Sequence, residues 1–464
     1  MSPLAALPLN LLLLAGLSGF GFLLARAILH DQPWVDSLVL SFPIGAGVLT
    51  WLIFVSSFVG MSVSLSATLG TWVVATLSAG VYLVLRKKSD PGVPIMSASN
   101  GASLAALTKA GLAGSLILFG LSLFLTVGRA QAGWDAMAIW SAKGYGIALE
   151  GSIQAGRHWG EHGLSYPLNI PLLISFFAEV DGDVLPGSKL IFPLFYASLI
   201  VGCYRFWRRQ RVPAAFASLG LITLASVPVV YDHATLGYAN LPEACYLVLG
   251  CLYAVEGSLG KSTGMQLMSG ILLGLAVWTR PEGVVLVLLS VLVLILTLRL
   301  VGRAHFGWAI WLLPVLVLGG VWLAFARNYT GSSQFGGILT SVWKRWMRGA
   351  FNLSALRMIG VYSVRQAINL NTWGLMTPVI IALAWIGRRR LTRKGGPAVL
   401  PLLAVGLSTG AAILVFYYLA SFGGPPLDWW LSTGLDRTAL PSVLLLAMAA
   451  FLAAGAAPAS EAEA

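Results

Sequence analysis

Long apolar runs follow one another along almost the whole chain and are separated by short polar stretches. A helix needs roughly 20 apolar residues to cross a bilayer, and runs of about this length predict thirteen membrane-spanning helices. They lie near residues 4–28, 37–60, 67–86, 109–127, 187–206, 213–230, 242–257, 265–279, 283–300, 306–326, 372–388, 397–420 and 438–456. The pattern therefore predicts an all-α polytopic membrane protein, in which the shorter spans are tilted or irregular.

Composition supports this class and excludes an ordinary soluble enzyme. Hydrophobic residues make up 58% of the 464 residues, and charged residues make up only 10%, whereas soluble domains carry about 25% charged residues. The formal net charge is +12. In a chain with so many apolar runs, this excess of Lys and Arg indicates cytoplasmic loops, and no nucleic-acid partner is expected.

The basic clusters predict the orientation of the chain in the cytoplasmic membrane. They follow the third, fifth, ninth and eleventh predicted spans, near residues 86–88, 205–211, 299–303 and 388–394. All of them fall on one side, which the positive-inside rule makes the cytoplasmic side. The N-terminus is then expected outside, as part of a retained first span. Most acidic residues fall in the outer segments, where we expect a polar reaction site.

The first long outer segment, about 128–186, begins with a run that predicts a helix. Asp135 lies at its start, where the carboxylate either caps the helix or takes part in a reaction. Lys143 comes two turns later and is expected on the same face, while Trp134 and Trp140 are expected at the membrane surface. Tyr166 opens a stretch with two prolines, which predicts an interfacial or re-entrant helix.

Two shorter outer segments also carry ionisable groups. Glu243 lies at the mouth of the seventh predicted span, where a carboxylate is costly unless it is paired or placed at a helix N-terminus. Tyr238 and Asn240 precede it. In the turn at residues 279–283, Arg280 and Glu282 either pair with each other or leave Arg280 free to bind a phosphate with its forked donors.

Basic residues recur further along the predicted outer face. Arg345 lies in a Trp- and Arg-rich stretch that predicts an amphipathic helix on anionic headgroups. Arg437 opens the last apolar run and is expected to face a polar cavity or a phosphate. His158, His162 and His233 are spread too far apart in sequence to indicate a metal site, so we expect no metal, no cofactor and surface positions for these histidines.

Taken in order, these motifs resemble the GT-C superfamily of integral-membrane glycosyltransferases. They are a Trp-Asp-Ala acid, a Tyr-Pro-x-x-x-Pro-Leu-Leu segment, a Gly-Tyr-Ala-x-Leu-Pro-Glu-Ala stretch, a Thr-Arg-Pro-Glu-Gly turn and an Arg at the last span. The likeness covers roughly residues 109–450. It is strongest to the bacterial group near the protein O-mannosyltransferases, the aminoarabinose transferases and the lipopolysaccharide core galacturonosyltransferases.

The resemblance implies a GT-C fold and an inverting transfer of sugar from a polyprenyl-phosphate donor. The acceptor, a lipid, glycan or protein, would be reached from the outer face of the membrane, and an acid of the first outer loop would act as base. Asp135 matches that acid. Family site residues are also matched in position, though not by a strict motif, by Lys143, Tyr166, Arg280 and Arg437. Two departures stand out: three spans precede the usual first span, and Asn240 replaces an Asp that many relatives carry.

The resulting hypothesis gives each candidate residue a role. Catalysis is assigned to Asp135 and Glu243. The donor phosphate, its lipid and the surrounding membrane lipids are assigned to Lys143, Arg280, Arg437 and Arg345. Substrate binding is assigned to Trp134, Trp140, Tyr166, Tyr238, Asn240 and Glu282.

The domain organisation follows from the same reasoning. We expect an N-terminal three-helix extension at 1–108, a catalytic core at 109–330, an outer basic amphipathic loop at 331–371 and C-terminal helices at 372–464. Two alternative functions stay open at this point. One is a polytopic transporter or flippase, which would carry charged residues in mid-span and inverted repeats. The other is a ligase for lipid-linked glycans, for which His233 is the candidate base.

Overall fold

The computed structural model of the protein consists of α-helices joined by short connections. It describes residues 3–85, 102–129, 133–160, 162–181, 186–302, 308–330, 344, 351–388, 396–422 and 426–455, and these ranges contain no β-strand. The helices in the first half are α1 Pro3–Ile28, α2 Trp34–Ser56, α3 Leu65–Leu85, α4 Ala102–Gly128, α5 Ala142–Glu150, α6 Asn169–Asp181, α7 Pro186–Arg209, α8 Ala214–Ala225 and α9 Pro228–Leu236.

The second half continues in the same way. Its helices are α10 Asn240–Leu259, α11 Thr263–Thr279, α12 Gly283–Leu300, α13 Trp308–Val315, α14 Val321–Thr330, α15 Leu353–Ala367, α16 Leu370–Trp373, α17 Met376–Ile386, α18 Val399–Ala420, α19 Leu427–Thr438 and α20 Leu440–Gly455. Two π-helical segments interrupt this series, one at Ala136–Ser141 before α5 and one at Leu316–Gly320 between α13 and α14.

The described helices confirm the all-α polytopic class but not the count of thirteen spans. Eight are long and apolar enough to cross a membrane, or up to ten if each of two bent pairs is one span. Three predicted spans are not among them: those at 242–257, 265–279 and 372–388, which correspond to α10 with 20 residues, α11 with 17 and α17 with 11. α11 and α17 are shorter than the roughly 20 residues of a straight crossing, and α10 carries Asn240, Glu243 and Glu256 among its apolar residues.

Prolines mark the two bends. The predicted span at 213–230 is divided into α8 and α9, which meet at 57°. Pro228 opens α9 and has no amide hydrogen, so the hydrogen-bond ladder of α8 does not continue through it. At the start of the last predicted span, α19 and α20 meet at 43°, with Pro441 in the first turn of α20. This second bend places Arg437 at the end of a separate short helix.

Burial divides the helices into a central and a peripheral group. The hydrophobic windows of α2 and α7 are each 72% buried, whereas those of α3 and α4 are 11% and 17% buried, as expected for helices that face lipid. α2 also packs against α6, and Tyr246 of α10 donates a hydrogen bond to the carbonyl oxygen of Pro43 at 2.7 Å. α2 is therefore part of the central packing, and the predicted domain division stays a prediction.

A buried ion-pair network joins three central helices at the end that the orientation rule makes cytoplasmic. Asp36 of α2 accepts hydrogen bonds from Arg205 Nε at 3.0 Å and from Arg209 Nη1 at 2.5 Å. Arg209 also pairs with Glu256 of α10, and its guanidinium carbon lies 5.3 Å from the Tyr253 ring centroid. Residues that the basic-cluster pattern put on one side do meet at one end of the helices.

Between α4 and α7 the chain forms a layer of short helical segments. Two 3₁₀ turns, Ile153–Arg157 and Gly163–Ser165, follow α5. Glu150 at the end of α5 accepts a hydrogen bond from Trp159 Nε1 at 2.6 Å and pairs with His158 Nε2 at 2.7 Å. These contacts fasten the segment that contains the 3₁₀ turns onto α5. α6 is the helix that the two prolines after Tyr166 predicted.

Candidate active site

Four separate chain segments bring ionisable groups together at the end of the helices opposite to the Asp36 network. They are the start of the first π-helical segment, the start of α10, the turn between α11 and α12, and the end of α19. The side chains that meet there are Asp135, Asn240, Glu243, Arg280, Glu282 and Arg437. We call this set the charge cluster.

Asp135 and Arg437 form an ion pair in the charge cluster. Arg437 Nη1 donates to Asp135 Oδ2 at 2.6 Å, and the two side chains are 15% and 19% exposed for Asp135 and Arg437, respectively. Water can therefore reach the pair, but neither group points into bulk solvent. Asp135 makes no side-chain capping hydrogen bond, so the plain helix-cap interpretation is wrong. Its carboxylate is instead engaged by a residue 302 positions away.

Arg280 lies between two carboxylates and an amide. Its Nε donates to Glu282 Oε1 at 2.6 Å and lies 3.5 Å from Glu243 Oε2. Its Nη1 donates to Asn240 Oδ1 at 2.9 Å. The pairing of Arg280 with Glu282 that the turn sequence allowed is therefore confirmed. Asn240 in turn donates to the backbone oxygen of Arg437 at 3.4 Å, which links the two arginines.

Aromatic rings surround the charge cluster. The guanidinium carbon of Arg437 lies 5.3 Å from the Tyr238 ring centroid, and that of Arg280 lies 5.7 Å from the Trp140 ring centroid. Trp140 also packs against Tyr166 with centroids 5.7 Å apart. Burial raises the pKa of Tyr166 to about 12, although the positive charge of Arg280 acts in the opposite direction, so this hydroxyl stays protonated at neutral pH.

Tyr238 connects the aromatic rings to Asp135. Burial, the largest cause, and the Asp135 charge raise the pKa of Tyr238, whereas the Arg437 charge and the Asp135 backbone lower it. The Tyr238 ring packs so closely on Gly133 that an added Cβ there would lie 2.4 Å from a ring carbon. A glycine at position 133 is therefore needed for Tyr238 to reach its position under Arg437.

Alanine at Gly133 is expected to lower activity by about 10- to 100-fold, because displacement of a site by about 1 Å can cost that much. The Tyr238 ring has to move, and its contacts with Asp135 and Arg437 are lost. The measurement is the rate of the sugar transfer that we propose below. Gly128→Ala is the control, because nothing lies within 4 Å of the Cβ position at Gly128. Equal rates for both variants would contradict this role.

Lys143 lies apart from the charge cluster. Its side chain is fully buried, its Nζ lies 5.8 Å from the Tyr166 ring centroid, and no hydrogen-bond partner for Nζ occurs among the described residues. Burial lowers the pKa of Lys143 to about 7. The π-helical segment between Asp135 and Lys143 has wider turns than an α-helix, so the α-helical spacing that predicted a shared face does not hold over this stretch.

Other predicted site residues are placed differently from expectation. Trp134 is 63% exposed, but Trp140 is fully buried, so its predicted surface position is wrong; it packs instead on Tyr166 and beside Arg280. His233 is also buried, contrary to the surface position expected for it. Arg345 lies outside the described residues.

The sequence analysis did not identify Asn169, a residue whose hydrogen bonds join three helices beside the charge cluster. Asn169, at the start of α6, accepts a hydrogen bond from Thr50 Oγ1 at 2.6 Å and donates to Thr279 Oγ1 at 2.8 Å. Trp278 Nε1 donates to Thr50 at 3.2 Å. This buried network ties α2, α6 and α11 together directly beside Arg280. An amide between two prolines in an apolar stretch was the available signal.

Several buried polar atoms around the site lack partners among the described residues. They are Lys143 Nζ, Glu243 Oε1, His233 Nε2 and Trp140 Nε1. Because buried polar groups are nearly always hydrogen-bonded to protein, water or ligand in native proteins, these atoms are available to ordered water or to a polar ligand. Across the described ranges, no three His, Cys, Asp or Glu side chains form a group that could hold a metal ion.

Two crystal structures of ArnT from Cupriavidus metallidurans are similar to this chain. The structure bound to undecaprenyl phosphate matches with a TM-score of 0.40 and 14% identity, over 76% of this chain and 77% of that chain. The apo structure matches with a TM-score of 0.40 and 15% identity, over 78% and 80%. No protein-family model and no curated protein matches the chain. The function proposed below rests on the geometry of the site itself.

Proposed function

We propose that the protein is a membrane glycosyltransferase that moves a sugar from a polyprenyl-phosphate donor to an acceptor at the outer face of the cytoplasmic membrane. The observation that carries this proposal is the ion pair of Asp135 and Arg437 at the ends of membrane helices. A second arginine, Arg280, lies beside this pair and is buried. A carboxylate next to cations at this position suits a reaction that removes a proton and releases an anionic lipid phosphate.

The reaction is a direct displacement with inversion. An acceptor hydroxyl oxygen attacks the anomeric carbon, and the bond from that carbon to the phosphate oxygen breaks, with its electron pair moving onto the phosphate. The acceptor proton passes to Asp135. Because Arg437 engages Oδ2, we assign the proton to Oδ1. The ion pair would then hold the carboxylate in one orientation while leaving an oxygen for the acceptor.

The leaving phosphate needs positive charge at the depth of the lipid headgroups. Arg437 is the first candidate, because it is partly exposed and carries further N–H donors. Arg280 is the second candidate. The contacts of Glu243 and Glu282 with Arg280 favour a positioning role for both acids, so we assign Glu243 to holding Arg280 rather than to proton transfer. The rings of Trp140, Tyr166 and Tyr238 would line the sugar site.

A reconstituted assay tests this proposal and distinguishes it from the transporter alternative. The protein is placed in liposomes with a panel of labelled undecaprenyl-phosphate sugars and a total bacterial membrane extract as the source of acceptors. We expect release of undecaprenyl phosphate together with transfer of the label to a new product. Movement of an intact labelled donor across the bilayer without bond cleavage would instead support the flippase, and cleavage of none of the donors would count against the enzyme.

The ligase alternative makes a different prediction at His233. Its Nδ1 contacts the carbonyl oxygen of Val229 at 2.7 Å, and its ring packs against Tyr238 with centroids 5.4 Å apart. Since Asp135 is the proposed base, His233→Ala is expected to lower the transfer rate by less than about tenfold. Loss of a general base typically lowers the rate by about 10²- to 10⁴-fold. Rates of His233→Ala and Asp135→Ala in the same assay decide between them: a larger loss in His233→Ala favours the ligase.

A further inference from the structure

A buried amine without a protein partner is the most unusual group outside the charge cluster. The Lys143 side chain is fully buried, and across the described residues its Nζ has neither a hydrogen-bond acceptor nor a carboxylate within ion-pair distance. Buried charges in proteins are normally paired. Three carboxylates of the charge cluster are engaged by arginines nearby, so the position of Lys143 apart from them is a distinct feature.

Both apolar and aromatic side chains pack closely around Lys143, with Leu164 and Lys143 meeting at Gly156. Gly156 in the first 3₁₀ turn is close enough that an added Cβ would contact the Lys143 Cγ and Cδ at 3.5 Å. The Tyr166 ring lies 5.8 Å from the amine. Trp140, whose buried indole N–H has no partner among the described residues, packs on the same ring. Two side chains with unused donors thus lie beside one aromatic ring.

Among the residues that the structure describes, other ionisable groups approach this site through Tyr166 or at its edge. The His162 ring stacks on Tyr166 with centroids 4.5 Å apart. Arg280 contacts the Trp140 ring, which itself packs against Tyr166. Glu150 pairs with His158 on the outer surface of α5. None of these groups is recorded in ion-pair contact with Nζ among the described residues, so the amine is available to a ligand.

We propose that Lys143 and Trp140 form an anion subsite, separate from the charge cluster, for a carboxylate or phosphate group carried by the sugar or by the acceptor. This inference rests on the proposed function, since it specifies the charge of a substrate of the proposed glycosyltransferase. Aromatic rings beside a cation are suited to a sugar ring that bears an acidic group. The sequence had grouped Lys143 with the arginines as a ligand of the donor phosphate, and the subsite replaces that assignment.

Binding of an anion here carries a measurable proton signature. Burial lowers the pKa of Lys143 to about 7, so at pH 8 most of the amine is neutral in the free protein. A bound anion favours the ammonium form and raises that pKa. Binding at pH 8 should therefore take up close to one proton, and the uptake should disappear at pH 6, where the amine is already protonated.

Calorimetry with the full-length protein in nanodiscs tests this inference. Sodium glucuronate, methyl phosphate and neutral glucose are titrated at pH 8 in buffers of different ionisation enthalpy. At least one anion should bind with proton uptake, and glucose should show none. Glucuronate alone would identify a sugar carboxylate as the source, and methyl phosphate alone an acceptor phosphate. Absence of proton uptake with both anions would overturn the subsite, whatever the stability of any variant.

Variants then assign the signal to Lys143. Lys143→Met should lose the proton uptake and bind the anion at least about tenfold more weakly, as expected for loss of a charge-assisted hydrogen bond. Lys189→Met is the matched control, because the Lys189 amine already donates to the Arg129 carbonyl oxygen at 2.7 Å. Uptake that persists in Lys143→Met would overturn the assignment.

Transfer assays separate failure of the subsite from failure of the proposed function. Lys143→Met should lower transfer from an undecaprenyl-phosphate uronic acid, or to a phosphate-bearing acceptor, more than transfer between neutral partners. Equal loss in all pairs would make Lys143 a ligand of the donor phosphate and overturn the subsite. If the wild-type protein binds the anion with proton uptake but cleaves no donor, the glycosyltransferase proposal fails and the anion site stands.

Discussion

Replacement of Asp135 by asparagine is expected to lower the rate of sugar transfer by about 10²- to 10⁴-fold, the usual loss when a general base is removed. Asparagine has nearly the same shape, and its carbonyl oxygen can still accept the hydrogen bond from Arg437 that Asp135 Oδ2 accepts at 2.6 Å. It cannot take the acceptor proton. The loss should therefore appear in kcat, with donor affinity little changed.

The measurement is steady-state release of undecaprenyl phosphate by purified protein in nanodiscs. Asp428→Asn is the matched control, because Asp428 is an exposed acid in the first turn of the same helix as Arg437, outside the charge cluster. It should retain the wild-type rate. Wild-type transfer by Asp135→Asn would exclude Asp135 as base and return the question to His233 and Glu243.

Replacement of Arg209 by methionine is expected to lower the free energy of unfolding by about 3–5 kcal/mol, the usual effect of removing one partner of a buried ion pair. The change leaves Glu256 without its arginine and removes one of the two arginines that bind Asp36. Both carboxylates are nearly or fully buried, at 4% and 0% exposure for Glu256 and Asp36, respectively. Uncompensated charge between α2, α7 and α10 is the physical cause of the loss.

Reversible unfolding in mixed detergent micelles measures this change. Arg299→Met is the control, because Arg299 is an exposed arginine in the last turn of α12, and its replacement should change stability by less than about 0.5 kcal/mol. A triple variant with Asp36→Leu, Arg209→Met and Glu256→Met should recover most of the loss, since the buried charges are removed together. A stable single variant would mean that water reaches the network.

The sequence largely predicted which segments form apolar helices and which residues lie at the same end of those helices. Apolar runs of bilayer length identified the helices, and the basic clusters put Arg205 and Arg209 on one side of them, where the structure joins both with Asp36 and Glu256 in one network. The count of spans was not confirmed at α10, α11 and α17, because hydropathy marks apolar composition, whereas crossing also depends on helix length and tilt.

The sequence also predicted some residues of the charge cluster, since a charged residue beside an apolar span is costly unless it is paired or faces a polar cavity. That argument singled out Glu243 and Arg437, whereas Asp135 was chosen for its place at a helix start and Arg280 for its place in a short turn. It did not identify their partners. Asp135 meets Arg437 across 302 positions of chain, and Arg280 meets Asn240 across 40, contacts that depend on how helices pack and bend rather than on local pattern.

The sequence by itself thus determined that the protein spans the membrane many times and that polar groups gather at the ends of its helices. Tertiary structure alone decided which of these groups pair, that Trp140 and His233 are buried, and that the Lys143 amine has no hydrogen-bond partner in the described part of the chain. The physical reason is that hydrophobicity and charge act on each residue locally. Pairing and burial depend on distances between helices, and those are set by packing and by the bends at Pro228 and Pro441.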